Sequence, residues 1–261
     1  DGLKPEESDT QTTLYQNLMN NFNDFTENWL VLEVGDTGAD WAQTSGSWLN
    51  SDPNSNLPDT YNITISTTLD ANGSNLAKMA TLAHELIHTY IFDTLSDAGY
   101  ITFDTNTGEP KIDINELNNL NCDYQPQPVS IFLNDYSKAE RFAILICALI
   151  ENGLAQTTDW SHTLFGSSAF SVNTYQQQLS DFIYNNHDWN NENSSFISQM
   201  QSYFGANWKE KTAEACSWIG LTGTNEYLTY RDSISDPLLK TGLIQIAELK
   251  NFVNDANSNC N

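Results

Sequence analysis

The sequence predicts an α+β fold in which a small mixed sheet and a long helix precede a mostly helical C-terminal half. Two segments before residue 70, WLVLEV and YNITIST, carry the β-branched and aromatic residues typical of strands. After residue 75, apolar residues recur at the three- and four-residue spacing of amphipathic helices. The 261 residues are enough for one domain with a sizeable core, and no internal repeat or linker divides them.

The N-terminal third supplies the strands and the first long helix. Residues 1–10 are polar and predict a disordered leader, which leaves residues 11–261 as a single domain. An amphipathic helix is predicted at residues 12–25. Strands are predicted at residues 29–34 and 61–67, separated by a turn-rich loop, and the next segment predicts one long helix over residues 75–94.

The remainder of the chain predicts one irregular region and then helices. Residues 96–136 are rich in Gly, Pro and Asn, and we expect an irregular insertion there with a short helix at residues 114–120. Residues 220–224, GLTGT, predict a turn. Five further helices are predicted at residues 138–154, 175–184, 196–204, 208–218 and 237–253.

The charge of the chain excludes some classes of partner. Asp and Glu total 34 against 10 Lys and Arg, a formal net charge of -24, which argues against binding to nucleic acid or to an anionic membrane surface. The sequence has no run of 18 apolar residues that could span a membrane. We expect a monomer that is secreted or displayed at the cell surface, with any signal or lipid anchor in a segment outside this sequence.

The four cysteines are Cys122, Cys147, Cys216 and Cys260. They allow three pairings, between which the sequence does not choose. No C-x-x-C pair is present, which argues against a cysteine zinc site. For an extracytoplasmic protein we expect one or two disulfides.

One motif on the long predicted helix carries chemistry. His84, Glu85 and His88 form the pattern H-E-x-x-H, HELIH. Residues four apart lie on one helix face, so the two imidazoles can bind one Zn²⁺. Glu85 follows the first ligand and can take a proton from a water that the metal makes more acidic. The motif therefore predicts a zinc-dependent hydrolase with Glu85 as the catalytic base.

A catalytic zinc site needs a third protein ligand, and the motif does not supply it. The metzincin continuation is absent, because Ile91 and Thr94 occupy the positions of its glycine and its third ligand. A glutamate on a later helix is one alternative, and Glu151 is the best candidate of that kind. The remaining histidines, His162 and His187, are the others.

The segment HELIHTYIF at residues 84–92 resembles the active-site helix of SprT-like zincins. The chain is most similar to a group of secreted SprT-like proteins of Bacteroidetes bacteria, through YNITIST, HELIHTY, NNHDWNNENSSFI and CSWIGLTGTNEY. It departs from them at Thr89, where alanine is usual, and in the long insertion before His187. The resemblance implies a zincin-like fold, zinc dependence and His187 as the third metal ligand. We also expect the GLTGT turn to close the site.

Two functions are consistent with these features. The first is a secreted zinc metallopeptidase acting on peptide or protein substrates; a related enzyme would be a metal-dependent amidase for cell-wall peptides. The second is a binding or surface-interaction protein that uses a zincin scaffold with little or no turnover, and retention of Glu85 favours the first. In zincins an edge strand near the helix pairs with an extended substrate, and YNITIST is either that edge or an ordinary core strand.

Overall fold

The computed structural model describes residues 29–38, 40–48, 58–119, 143, 146, 160–165 and 175–248. Within these ranges the protein is a mixed α+β structure with a small sheet and mostly helical content, which confirms the predicted class. The predicted leader and the predicted helix at residues 12–25 lie outside the described residues. In the part of the chain that is described, no helix has both the length and the apolar character needed to cross a membrane.

A three-stranded mixed sheet lies between residues 29 and 66. Strand β1 is Trp29–Gly35, β2 is Ala42–Ser47 and β3 is Thr60–Ser66. The strand order is β1-β3-β2, with β1 parallel and β2 antiparallel to β3. Both predicted strands are present, but YNITIST forms the central strand β3 and therefore has no free edge. Among the described strands, the edge beside the long helix belongs to β2, in the segment for which the sequence predicts a turn-rich loop.

Two helices follow the central strand without a break in the chain. Helix α1 is Thr67–Asn72 and helix α2 is Asn75–Asp97. Each begins with a serine whose hydroxyl accepts a backbone N–H: Ser66 from Leu69 and Ser74 from Ala77, which satisfies one donor of the first turn. Helix α2 packs against β2 and β3 and confirms the predicted long helix, extending it to residue 97. Its buried apolar residues include Leu76, Ala80, Ile87, Ile91 and Leu95.

The region predicted as an irregular insertion contains a second, two-stranded sheet. Strand β4, Ile101–Phe103, pairs antiparallel with β5, Pro110–Ile112, and the predicted short helix follows as α3, Ile114–Asn119. The six residues between the two strands, 104–109, are referred to below as the 104–109 turn. Ile101 and Phe103 are buried, so the hairpin is attached to the main core.

The described residues between 160 and 248 are mostly helical. Helices α5, Tyr175–Asn186, α6, Ser194–Phe204, and α7, Trp208–Cys216, confirm predicted helices, as does α9, Pro237–Ala247. Two short helices were not predicted: α4, Trp160–Phe165, and α8, Asn225–Ser233. Helix α7 packs against α5, α6 and α9, while α4 and α5 contact α2.

Two other predictions fall largely outside the described residues. Of the predicted helix at residues 138–154, only Ala143 and Ile146 are described; both are helical and buried. Of the four cysteines, only Cys216 is described, and it is a free, buried thiol. A pairing of all four cysteines in two disulfides is therefore wrong, because Cys216 lies in the core as a small apolar side chain.

Candidate metal site

Three histidines converge beside helix α2. His84 and His88 lie one helical turn apart on α2, and His162 comes from the short helix α4. One ligand nitrogen from each of the three lies within 4.8 Å of those of the other two. The Nε2 atoms of His84 and His88 are 2.9 Å apart. The centroid of the His162 ring lies 5.3 Å from the ring centroid of His84 and 4.7 Å from that of His88. Three imidazoles are therefore close enough to bind one metal ion.

The spacing of the helix pair fits a metal ion. Tetrahedral nitrogen ligands at about 2.0–2.1 Å from a metal stand roughly 3.3 Å from one another. The distance of 2.9 Å between the Nε2 atoms of His84 and His88 is close to that value. A small rotation of either ring would bring the two nitrogens to the metal-binding separation. A set of three imidazoles suits zinc and other first-row divalent ions and leaves room for a fourth ligand.

Apart from the contact between their Nε2 atoms, the two rings of α2 are held by packing. The Nδ1 atoms of His84 and His88 are buried, and neither has a hydrogen-bond partner among the described residues. The Phe165 ring lies 4.9 Å and 5.8 Å from the two imidazole centroids. Gly220 also lies against His84: it has φ +81°, and a Cβ added there would stand 2.7 Å from Cε1 of His84. The predicted GLTGT turn therefore lies directly against the first ligand ring.

Burial sets the charge of the helix pair. His84 is 4% exposed and His88 is 3% exposed. Burial lowers the pKa of the His84 imidazole well below its usual value, and the neighbouring His162 lowers it further. Burial also lowers the pKa of His88, with smaller contributions from His84 and His162. Both rings are therefore neutral near pH 7, which is the form that binds a metal.

Glu85 lies beside the histidines and contacts the sheet. Its side chain is buried, and its Oε2 accepts a hydrogen bond of 2.7 Å from the Thr44 hydroxyl on β2. Burial raises the pKa of Glu85 to about 7, although the hydrogen bond from Thr44 and the nearby His162 oppose that rise. A carboxyl group with a pKa near neutrality can both accept and return a proton, as a general base and acid must.

His187, the third ligand implied by the family resemblance, is not part of the three-histidine cluster. It lies just after α5, where its Nε2 is 2.6 Å from Oε1 of Glu192, and both side chains are 6% exposed. Its ring also packs edge-on against Trp189 at 4.7 Å between centroids. The third imidazole in the cluster is instead His162, one of the alternatives that the sequence left open. Glu151 lies outside the described residues.

Two residues at the site were missed by the sequence analysis. Thr44 hydrogen-bonds to Glu85, but its strand has the sequence AQTSGS, in which no alternation of apolar residues predicts a strand. Phe165 packs on both helix imidazoles, and it follows His162 by three residues on the same short helix. The only available signal was that spacing, because residues three apart share a helix face.

The raised pKa of Glu85 predicts a pH-dependent loss of stability in the chain without metal. The folded-state pKa of about 7 lies above the usual glutamate value of 4.5, so the folded chain binds the proton more tightly. The Glu85 carboxyl group therefore makes its full contribution to the free energy of unfolding below pH 4.5. That contribution is lost as the pH rises to about 7. We expect the free energy of unfolding, relative to Glu85→Gln, to fall by roughly 3 kcal/mol across this window.

The measurement is urea unfolding of both chains in the presence of a chelator, at several pH values from 4 to 8. All other titratable groups are common to the two chains, so the difference isolates Glu85. A difference that does not change with pH would show that the carboxyl group ionises as it does in the unfolded chain.

Comparison with known protein families, with curated proteins and with solved structures finds no match for this chain. The similarity to SprT-like zincins therefore stays a prediction from the sequence motifs.

Proposed function

We propose that the protein is a secreted zinc-dependent metallopeptidase with a zincin-like fold. One observation carries the proposal: the imidazoles of His84, His88 and His162 converge, and the buried carboxyl group of Glu85 lies near enough to His162 to interact with it electrostatically. A site for structural zinc has four protein ligands, whereas a catalytic site has three and keeps one position open. Among the described residues the cluster contains three ligands, and an adjacent base completes the set that hydrolysis needs.

The roles of the side chains follow from their positions. When bound, a zinc ion would supply Lewis acidity, which polarises a carbonyl group and makes water a stronger acid. His84, His88 and His162 would hold it in their neutral forms. Glu85 takes a proton from the attacking water on a carboxylate oxygen and returns it to the leaving amine. Thr44 holds Oε2 of Glu85 at 2.7 Å, which fixes the carboxyl group between the helix and the sheet.

The sheet offers a place for an extended peptide. Strand β2 is an edge strand of the sheet that the described residues form, and Thr44 on it contacts Glu85. An extended peptide can add to such an edge through backbone hydrogen bonds. This supports a peptide as the substrate, because the pairing would bring a peptide bond next to the base. Secretion remains a prediction from composition.

The replacement Glu85→Gln tests the proposal. The amide keeps the size of the side chain and cannot accept a proton, so we expect kcat/KM for peptide hydrolysis to fall by about 10²–10⁴-fold. Zinc content should remain at one ion per chain. The measurement is hydrolysis of casein and of a mixed peptide library, including cell-wall peptides, followed by elemental analysis. Glu210→Gln, at an exposed glutamate in the first turn of α7, is the matched control and should leave both unchanged.

The binding alternative predicts different results. In that case the zinc-loaded wild type hydrolyses none of these substrates but binds peptides, and Glu85→Gln binds them equally well. Equal hydrolysis by wild type and Glu85→Gln would show that Glu85 is not the base.

A further inference from the structure

We propose that the 104–109 turn blocks one end of the substrate edge on β2, so that the enzyme removes one or two residues from the N-terminus of peptides. This inference rests on the proposed peptidase function and names its substrate class: the free N-terminal ends of peptides. It depends on which backbone groups of β2 are free and which are covered.

The backbone of β2 alternates between the central strand and the outside. Ser47 faces the central strand, since its carbonyl accepts the N–H of Asp59, the residue just before β3, at 3.2 Å. Gly46 faces away, because its N–H donates to the carbonyl of Gly108 at 2.8 Å. Since alternate residues of an edge strand point the same way, Thr44 and Ala42 also direct their N–H and C=O groups outwards. No described residue hydrogen-bonds to the backbone of either one on that side.

Two glycines form the block. Gly108 is buried and has φ +72°, and a Cβ added to it would collide with the carbonyl oxygen of Gly46. Gly46 is equally confined, because an added Cβ would stand 2.9 Å from the Phe103 ring and 2.9 Å from Pro58. Both outward backbone groups of Gly46 are therefore covered by the turn. A peptide that pairs at Thr44 meets the 104–109 turn two residues further along.

The turn is held in place on two sides. The Asp104 carboxylate accepts the N–H groups of Asn106 and Thr107 and is 2.6 Å from Nζ of Lys111. The Gly108 N–H donates to the Asp104 carbonyl at 2.7 Å. Below the turn, the ring of Phe103 packs edge-on against Tyr61 and Phe92. These hydrogen bonds and ring contacts fix the turn, so a substrate does not easily displace it.

The direction of the peptide follows from the pairing. Antiparallel pairs are slightly more stable than parallel ones, so we take the substrate to run antiparallel to β2. Its N-terminal end then lies towards Gly46, at the blocked end, and its C-terminal part runs past Ala42. Two residues of a strand span about 6.5–7 Å. With the cleaved bond beside Glu85, which Thr44 contacts, there is room for about two residues on the N-terminal side.

Hydrogen exchange tests the geometry without measuring activity. In the free chain, we expect the Gly46 amide to exchange slowly and the Thr44 amide to exchange quickly. Adding a peptide with a free N-terminus to zinc-loaded Glu85→Gln should slow exchange at Thr44 and leave Gly46 as it was. Fast exchange at Gly46 in the free chain, or no change at Thr44 on adding peptide, would overturn the proposal.

Product mapping tests the specificity. Two peptide series share one central sequence; one is lengthened by one to six residues at the N-terminus and the other at the C-terminus. We expect zinc-loaded wild type to cut after the first or second residue. Extending the peptide at its N-terminus should therefore lower kcat/KM for the central bond by at least about tenfold. C-terminal extension should not lower it. Internal cuts that are equally fast in both series would overturn the block and leave the peptidase assignment standing.

A shortened hairpin gives the reciprocal test. Replacing residues 104–109 by Asn-Gly joins Phe103 to Pro110, a strand pair that a two-residue turn can close. This variant should gain cuts three or more residues from the N-terminus, and its Gly46 amide should exchange quickly. Thr105→Ser, at an exposed turn position, is the control and should keep the wild-type products. If the shortened chain does not fold, the exchange and products of the wild type still decide the proposal. If neither wild type nor a folded variant cuts any peptide, the peptidase assignment itself fails.

Discussion

Replacing His162 by alanine should weaken zinc binding by more than about 100-fold. The change removes one of three imidazoles, and even the partners that only orient metal ligands contribute about 10–100-fold to affinity. The two histidines that remain on α2 would hold the ion with two protein ligands, which is below the number that catalytic zinc sites use. The measurement is competition for zinc against a chelator of known affinity, and hydrolysis should be lost together with the metal.

The matched control is His187→Gln. Glutamine can still donate a hydrogen bond to Glu192, so the turn after α5 should keep its structure, and zinc affinity should stay within about threefold of the wild type. If His187→Gln instead loses zinc as His162→Ala does, His187 is a ligand, as the family resemblance implies, and the three-histidine cluster is not the metal site.

Gly220→Val should damage both the fold and the metal site. The backbone φ of +81° is unfavourable for a β-branched residue, and the new side chain would occupy the space of the His84 ring, 2.7 Å from its Cε1. Strain of this kind and overpacking each cost about 1–3 kcal/mol, so we expect the free energy of unfolding to fall by about 3 kcal/mol. We also expect at least a tenfold loss of zinc affinity, because the ring must move.

Gly223→Val tests whether the effect belongs to position 220. Gly223 lies in the same turn, is exposed, and a Cβ added there would have no atom within 4 Å. This variant should change stability by less than about 0.5 kcal/mol and leave zinc affinity unaltered. Urea unfolding and zinc competition measure both quantities. Equal effects of the two variants would mean that valine disrupts the turn at either position, for a reason unrelated to contact with His84.

Local features of the chain were predictable. The helix that carries His84 and His88 follows from apolar spacing and from a serine at its N-terminal cap, and both are properties of neighbouring residues. The relation of Glu85 to the two histidines follows from the pitch of one helical turn. These features could be predicted because they depend on no contact with a distant part of the chain.

Long-range features were not predictable in the same way. Strand β2 has no apolar alternation, and it becomes a strand because its backbone pairs with β3 and Thr44 reaches Glu85. The proximity of His162 to His84 depends on how the short helix α4 packs on α2, across a long stretch of chain. A sequence motif specifies the first two imidazoles, whereas tertiary packing determines which histidine joins them.

The family resemblance pointed to His187 because it lies in a polar stretch before a helix. The same polar stretch supplies Glu192, which pairs with His187 five residues away. A polar neighbourhood is therefore equally compatible with a metal ligand and with a histidine whose partner is local. Only the position of the side chain separates the two interpretations.

The hydrogen bonds of Asp104 also bear on how the protein would behave in acid. The Lys111 ammonium group and two backbone N–H groups lower the pKa of Asp104 to about 2. On acidification, therefore, the carboxylate of this hairpin keeps its charge to a lower pH than an ordinary aspartate does. For the proposed peptidase, an acidic medium would slow hydrolysis by protonating Glu85, while the proposed preference for chain ends would be retained. Activity recorded at pH 4 and at pH 7 should accordingly differ in rate while releasing the same fragments.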